Sequence, residues 1–215
     1  MKIIEKNLKF NGNLGRRTRT DYIVLHHADK SQASVEDIHR IHLNKGWAGI
    51  GYHYFVRKDG SIYRGRPRDA VGAHCLGYND RSLGICAEGD FEKEHMPVAQ
   101  WKAILWLVNE LKKIYPKAQV VGHRDLNATA CPGRYYPLAE IKAGKGPVEA
   151  IKEVLSGMFK DVPEGHWAKG SIERLAQLGL LKGDEQGRFR PDEPVTRAQL
   201  AAVLDRLINY LEGKK

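Results

Sequence analysis

Residues 122–133 read GHRDLNATACPG and place His123 and Cys131 eight positions apart. The apolar run at 118–121 leads into this stretch, which predicts a buried strand that ends in a polar loop. Imidazole and thiolate are the side chains that bind zinc best, but two ligands do not complete a site. A second apolar run, at 22–25, also ends in histidines, His26 and His27. We therefore predict a His, His, Cys zinc site with its fourth position open to water.

A structural interpretation of the same residues stays open at this point. A histidine at a strand end is commonly a hydrogen-bonded residue, and a lone cysteine is commonly a small buried hydrophobe. Because adjacent side chains of a strand point to opposite faces, only one of His26 and His27 can face a metal.

Local patterns predict alternating helices and short strands. Strands are expected at 22–25, 51–56, 61–63, 83–87 and 118–121, with a hairpin turn at 58–60. A helix is expected from Ser34 to about residue 44, and a second from Pro97 to about residue 114, with Trp101, Leu105, Val108 and Leu111 on its apolar stripe. His39 and His42 lie one turn apart on the first helix, where solvated histidines are favoured over a metal pair. The fold class is therefore α/β.

Five separated motifs occur in one order along the chain. They are His26, GYH at 51–53, GYN at 77–79, SLGI at 82–85 and HRD…TACPG at 123–133. Together they resemble the zinc-dependent N-acetylmuramoyl-L-alanine amidases, which include the amidase-type phage lysozymes and the peptidoglycan recognition proteins. The resemblance covers about residues 18–142. It implies a small mixed sheet flanked by helices and cleavage of the amide between N-acetylmuramic acid and L-alanine by zinc-activated water.

The resemblance also implies roles for individual residues. Zinc ligands are expected at His26, His123 and Cys131, which selects His26 over His27. Tyr52 matches the family's active-site tyrosine, and Thr129 stands where the phage lysozymes have lysine; both are expected to be catalytic, although a core aromatic and a backbone-capping hydroxyl are the alternatives. Substrate contacts are expected at His53, His74 and Asn79.

No dedicated carboxylate base is assured by the sequence. Some related amidases have a glutamate where this chain has Cys86. The nearest acid is Glu88, two residues on and therefore on the same strand face.

The composition is that of an ordinary globular protein, 42% hydrophobic and 28% charged over 215 residues. The net charge of +9 lies wholly in residues 1–145, which hold 24 Lys and Arg against 15 Asp and Glu. Because no nucleic-acid motif accompanies this charge, we expect it to attract the anionic polymers of a bacterial wall rather than nucleic acid. Three cysteines do not suggest a disulfide framework.

Residues 158–212 follow a different pattern. The segments FKDVP at 159–163, FRP at 189–191 and PVTRA at 194–198 resemble one S-layer homology (SLH) repeat, a module that fastens proteins to secondary cell-wall polymers. The expected division is an amidase domain at 1–143, a linker at 144–157 and an SLH-like wall-binding module at 158–215. Trp167 and Arg197 are the candidate polymer contacts, with Trp167 as a plain core residue the alternative. Association of several chains through a lone repeat is a further hypothesis.

The favoured function is a phage or prophage endolysin, a bacteriolytic peptidoglycan hydrolase. We see no signal peptide or membrane span, so we expect synthesis in the cytoplasm and action on the wall after release during lysis. A recognition module that binds peptidoglycan without cutting it is one alternative, and a cytoplasmic amidase that recycles wall fragments is another. Cys131 favours the enzyme, because non-catalytic relatives typically lose this cysteine.

Overall fold

The computed structural model describes residues 1–147 and 159–211. The chain forms two compact units, Met1–Val148 and Glu149–Lys215. The expected linker at 144–157 lies largely outside the described residues, and the domain limits stay a proposal. Among the described residues, no helix combines the length and the apolarity that crossing a membrane requires.

The N-terminal unit contains one six-stranded mixed sheet with the order β1-β4-β3-β5-β2-β6. Its strands are β1 (Ile3–Ile4), β2 (Tyr22–His27), β3 (Tyr54–Val56), β4 (Ile62–Arg64), β5 (Ser82–Ala87) and β6 (Gln119–Gly122). β2 pairs in parallel with both β5 and β6, and β3 pairs in parallel with β5 and antiparallel with β4. The α/β prediction is confirmed. β1, which the sequence analysis did not predict, has only two residues and so no periodicity to detect.

The neighbouring strands β2 and β5 are mostly apolar along their length because helices cover both faces of the sheet. The helix α2 (Val98–Ile114) lies against one face, where Leu25 and Ile85 share a core with Leu107. The helix α1 (Val35–Asn44) lies against the other face, where Ile38 belongs to a second buried cluster that includes Cys86. Alternation along β2 therefore assigns its even-numbered residues to the α1 face.

The capping box that begins α1 is present. Ser34 Oγ accepts the Asp37 N–H at 3.1 Å, and the Asp37 carboxylate accepts the Ser34 N–H at 3.0 Å. His39 and His42 are not the solvated pair that was expected: both are buried, and they accept the backbone N–H groups of Ile50 and Gly51. These bonds fix the segment that leads into Tyr52.

The predicted apolar stripe of α2 is partly wrong. Trp101 and Leu105 are only partly buried, while the residues that face the sheet are Gln100, Ala103, Ile104, Leu107, Val108 and Leu111. Gln100 belongs to the inward face because its Nε2 donates to two carbonyls, that of Val56 in β3 and that of Glu88 directly after β5. Because this polar residue lies on the buried face of α2, the apolar periodicity of the sequence does not identify that face.

The predicted strand at 51–56 is shorter in the structure and begins at Tyr54. The preceding residues bond to loops: Gly51 O accepts the Ala73 N–H, and Tyr52 O accepts the Arg66 N–H. This loop pairing sets Tyr52 apart from the strand ladder. After β6 and the 123–133 loop, a short helix α3 (Leu138–Lys142) packs against β6 and α2.

The C-terminal unit contains the helices α4 (Lys169–Gln177) and α5 (Arg197–Leu211). Thr196 caps α5, because its hydroxyl accepts the Gln199 N–H at 3.1 Å while the Gln199 side chain accepts the Thr196 N–H at 2.8 Å. A small core forms between Phe159, Val162 and Ile172.

Candidate metal centre

The ends of two parallel strands bring the candidate ligands together. In the pairing of β2 with β6, Leu25 lies opposite Gly122, so the next residues, His26 within β2 and His123 directly after β6, lie side by side. Cys131 returns to this edge because the loop closes on itself, with the Arg124 N–H donating to the Cys131 carbonyl at 2.9 Å.

The donor atoms of His26, His123 and Cys131 all lie within 4.8 Å of one another. His26 Nδ1 is 3.7 Å from Cys131 Sγ. A tetrahedral zinc with typical Zn–N and Zn–S bond lengths separates such atoms by about 3.6 Å. The centroids of the His26 and His123 rings are 4.6 Å apart. The geometry and the N, N, S donor set therefore fit a zinc ion with an open fourth position.

The electrostatics of the two histidines suit a cation as well. Burial, reinforced by the neighbouring His123, holds the pKa of His26 well below its usual value, so the ring is neutral and keeps a free lone pair. Burial also lowers the pKa of His123, against the opposing hydrogen bond to Asn127. In the metal-free protein, burial raises the pKa of Cys131 to about 12, while the His27 backbone N–H acts in the opposite direction.

His27 points away from the cluster. Its Nδ1 accepts the Phe91 N–H at 3.2 Å, and its ring stacks on that phenylalanine on the opposite face of the sheet. What reaches the cluster is the backbone N–H of His27, directed at Cys131. No sequence signal indicates this backbone contact.

Tyr52 and Thr129 stand beside the three donors. The Tyr52 ring is 5.1 Å from the His26 ring, and its hydroxyl contacts Cys86, with burial raising the Tyr52 pKa well above its usual value. The exposed Thr129 accepts the Cys131 N–H on its Oγ1 at 3.2 Å, which leaves the hydroxyl proton available for another acceptor. Both hydroxyls are therefore protonated donors.

Two adjoining grooves of about 570 and 590 Å³ meet at this point. Both are lined by His42, Lys45, Tyr52, His123 and Thr129. An extended substrate can therefore pass over the candidate centre and occupy space on either side.

Of the three expected substrate contacts, His53 is wrong. It is fully buried, its Nδ1 accepts the Gly84 N–H, and its Nε2 lies 3.0 Å from the Ala70 carbonyl, so no ring atom is left for a substrate. Asn79 lines one groove but uses its Oδ1 to accept the backbone N–H groups of His74 and Cys75. His74 also lines that groove, yet its Nδ1 is directed at His26 Nε2, 3.0 Å away.

The carboxylate that the sequence offered as a base, Glu88, is engaged elsewhere. Glu88 is buried and accepts four hydrogen bonds, from the Arg57 guanidinium twice and from the backbone N–H groups of Lys58 and Ala33. Burial alone would raise its pKa, but these donors outweigh burial and lower the pKa. Glu88 therefore acts as a structural anion rather than a base.

Sequence reasoning missed Asn127. Its Oδ1 accepts from the His123 ring and from the Cys75 thiol at 2.9 Å, and its Nδ2 donates to the Leu76 carbonyl at 3.3 Å. The spacing of four residues from His123 gives no signal, because the 3-10 helix between them, His123–Asp125, has only three residues and no periodicity to detect.

In the C-terminal unit, Trp167 is 90% exposed, which overturns the alternative of a core residue. Its ring stacks on His166 with centroids 5.9 Å apart. Arg197 is exposed at the start of α5.

The mixed sheet flanked by helices, with a His, His, Cys cluster that could hold a metal at one strand edge, defines a class of α/β amidase. Residues 16–134 match the N-acetylmuramoyl-L-alanine amidase family, and residues 159–201 match the S-layer homology domain. The chain belongs to the N-acetylmuramoyl-L-alanine amidase family, with an S-layer homology segment after it, as the sequence motifs predicted.

Individual relatives agree with this assignment. The endolysin of Enterobacteria phage K11 is 39% identical over 46% of this chain and 68% of the relative. The endolysin of Klebsiella phage KP32 is 37% identical over 54% of this chain and 83% of the relative. The solved structure of the N-acetylmuramoyl-L-alanine amidase LysCS from Clostridium intestinale is 40% identical, covers 66% of this chain and 93% of that one, and superposes with a TM-score of 0.64. The expected amidase fold is confirmed.

Proposed function

We propose that the chain is a zinc-dependent peptidoglycan hydrolase that cleaves the amide between N-acetylmuramic acid and L-alanine. The observation that carries the proposal is the convergence of His26, His123 and Cys131 beneath an open groove, next to two hydroxyl donors. When bound, zinc supplies a Lewis acid that polarises a carbonyl and lowers the pKa of water towards about 7.

The protein's own residues would do the rest. The three donors would hold the ion, and the groove would orient the scissile amide beside them. Tyr52 and Thr129 line the groove beside the cluster, and their hydroxyls would donate to the negative charge that develops on the substrate carbonyl oxygen. Thr129 adds no positive charge, so its share of the stabilisation is smaller than that of a lysine. Because Glu88 is fully engaged, the water is not deprotonated by that carboxylate.

The activity is tested with the full chain, purified and loaded with zinc, on isolated bacterial sacculi. Amide cleavage creates one new α-amino group on L-alanine per bond, which dinitrophenylation identifies, and it creates no new reducing sugar end. We expect chelation or His123→Ala to abolish the release of alanine amino groups. The matched control is His95→Ala, because His95 is exposed and faces a tyrosine away from the cluster. Full activity after complete zinc removal contradicts the proposal.

We also propose that residues 158–215 bind a secondary cell-wall polymer, and that the protein acts on the wall after release, as an endolysin. The match to the S-layer homology domain and the exposure of Trp167 support the polymer contact. Trp167→Ala in the full chain should weaken co-sedimentation with intact walls and leave the cleavage of soluble muropeptides unchanged. If Trp167→Ala and the unaltered chain sediment equally with walls, Trp167 is not a polymer contact. If the unaltered chain strongly prefers soluble muropeptides to intact walls as substrate, a recycling enzyme is favoured over an endolysin.

A further inference from the structure

The side chain of His74 lies behind the ligand atoms and not across the groove. Its ring meets the His26 ring at 85°, with centroids 5.0 Å apart, and its Nδ1 is 3.0 Å from His26 Nε2. The ring occupies a slot between Gly72 and Gly84, where a Cβ on either glycine would collide with it. The backbone therefore holds the His74 ring in one place.

The direction of the hydrogen bonds follows from the far side of the ring. Ser82 Oγ donates its only proton to the Tyr78 carbonyl at 2.7 Å. The same oxygen lies 3.4 Å from His74 Nε2 and can only accept there, and the Ser82 carbonyl can likewise only accept. Nε2 of His74 therefore carries the ring proton.

A buried imidazole with one proton presents a lone pair on its other nitrogen. His74 is buried, and the groups that its two ring nitrogens contact, the His26 ring and Ser82, carry no negative charge that would stabilise a second ring proton. Its Nδ1 is consequently an acceptor, and the group facing it, His26 Nε2, must be the donor. The remaining nitrogen of His26, Nδ1, is then unprotonated and faces Cys131 Sγ at 3.7 Å.

We infer that His74 is a positioning residue that accepts the Nε2 proton of His26 and so holds His26 in the tautomer whose Nδ1 can bind a metal. The inference rests on the proposed zinc function and deepens it. Tyr78, Ser82, His74 and His26 form one chain of hydrogen bonds in which every proton has a single place. The substrate contact expected at His74 is thereby replaced by a role exerted through the ligand.

The first test uses metal-free full chain and needs neither zinc nor substrate. Long-range ¹H–¹⁵N correlation spectra distinguish the two neutral tautomers of each histidine ring. We expect His26 to be protonated at Nε2 and His74 at Nε2 as well. Protonation of His26 at Nδ1 overturns the inference, whatever the protein does with zinc.

The second test measures zinc affinity by competition with a chromophoric chelator. His74→Leu removes the acceptor and should weaken zinc binding about 10–100-fold, the usual effect of losing an outer partner of a ligand histidine. His74→Asn places an amide oxygen where Nδ1 stands and should restore most of the affinity. The control His95→Leu should not change it.

Zinc affinity of His74→Leu equal to that of the unaltered chain contradicts the inference. If His74→Leu does not fold, the comparison of His74→Asn with the unaltered chain and the tautomer spectrum still decide. Absence of zinc binding by the unaltered chain itself would instead reject the proposed function, and the tautomer spectrum would still report on His74 alone.

Discussion

Replacing Glu88 with glutamine should destabilise the fold while leaving the chemistry intact. Glu88 is 2% exposed, and its two carboxylate oxygens accept four hydrogen bonds at 2.9–3.1 Å, from the Arg57 side chain and from the N–H groups of Lys58 and Ala33. The carboxylate thus ties the β3–β4 hairpin to the segment that enters α1. Glutamine has one oxygen, so its NH₂ group must face N–H donors.

The size of the effect follows from these contacts. One buried backbone N–H left without an acceptor costs about 1–3 kcal/mol. Loss of one partner of a buried ion pair costs about 3–5 kcal/mol. Because the Arg57 side chain is 38% exposed and can be rehydrated, we expect the lower end, about 3 kcal/mol. For a unit of this size, that lowers Tm by about 6–12 °C.

The pH dependence has a defined sign. Burial alone would raise the Glu88 pKa, but hydrogen bonds from Arg57, Lys58 and Ala33 hold it below its usual value. The stabilisation is therefore present above the pKa of the unfolded chain, about 4.3, and is lost as the pH falls through the lower folded pKa. Glu88→Gln should lack this acid-dependent component.

The assay is calorimetric unfolding of the full chain, followed by amidase activity well below the variant's Tm. The matched control is Glu110→Gln, which breaks an exposed pair with Lys113 and should change stability by less than about 0.5 kcal/mol. A folded, zinc-loaded Glu88→Gln protein with activity reduced a hundredfold would refute the reasoning, because it would make Glu88 the base. An unchanged Tm would refute the energetic argument.

Two further outcomes are expected. Leu107→Ala should destabilise the N-terminal unit by about 2–5 kcal/mol, whereas Leu105→Ala should have a much smaller effect, because only Leu107 is fully buried. Urea titration measures the free energy of unfolding of both variants. Equal losses would show that Leu105 faces the sheet, as the sequence analysis predicted. Tyr52→Phe should lower kcat about 100-fold with little change in KM, and Thr129→Val should lower it less; steady-state kinetics on a soluble muropeptide decides, and an unchanged kcat for Tyr52→Phe would remove its hydroxyl from the reaction.

The sequence predicted most of the central sheet because its strands are short apolar runs with clear ends. The capping box at Ser34 marked the start of α1, and Pro97 marked the start of α2. The sequence-based predictions failed where contacts with distant segments, rather than local periodicity, decide the structure. The inward face of α2 carries Gln100, whose amide nitrogen donates to the carbonyls of Val56 and Glu88, residues distant in the chain. Gly51 and Tyr52 bond to loops, and this pairing cannot be predicted from hydrophobic periodicity.

The candidate ligands could be named from the sequence because their motifs are short and lie next to recognisable strand ends. His26, His123 and Cys131 are far apart in the chain, and the parallel pairing of β2 with β6 brings the first two to one edge. The sequence also indicated that only one histidine of the 26–27 pair could join them, because strand residues alternate between faces.

The tertiary structure alone decided what each neighbouring polar group does. His53 and His74 look alike in the sequence, yet both ring nitrogens of His53 contact backbone groups, whereas Nδ1 of His74 contacts the ring of His26. Glu88 and Asn127 likewise acquired their partners from segments distant in the chain. Residue type and spacing determine which groups can donate or accept. Hydrogen bonds act over about 3 Å, so the identity of a partner depends on packing that brings remote segments to that distance.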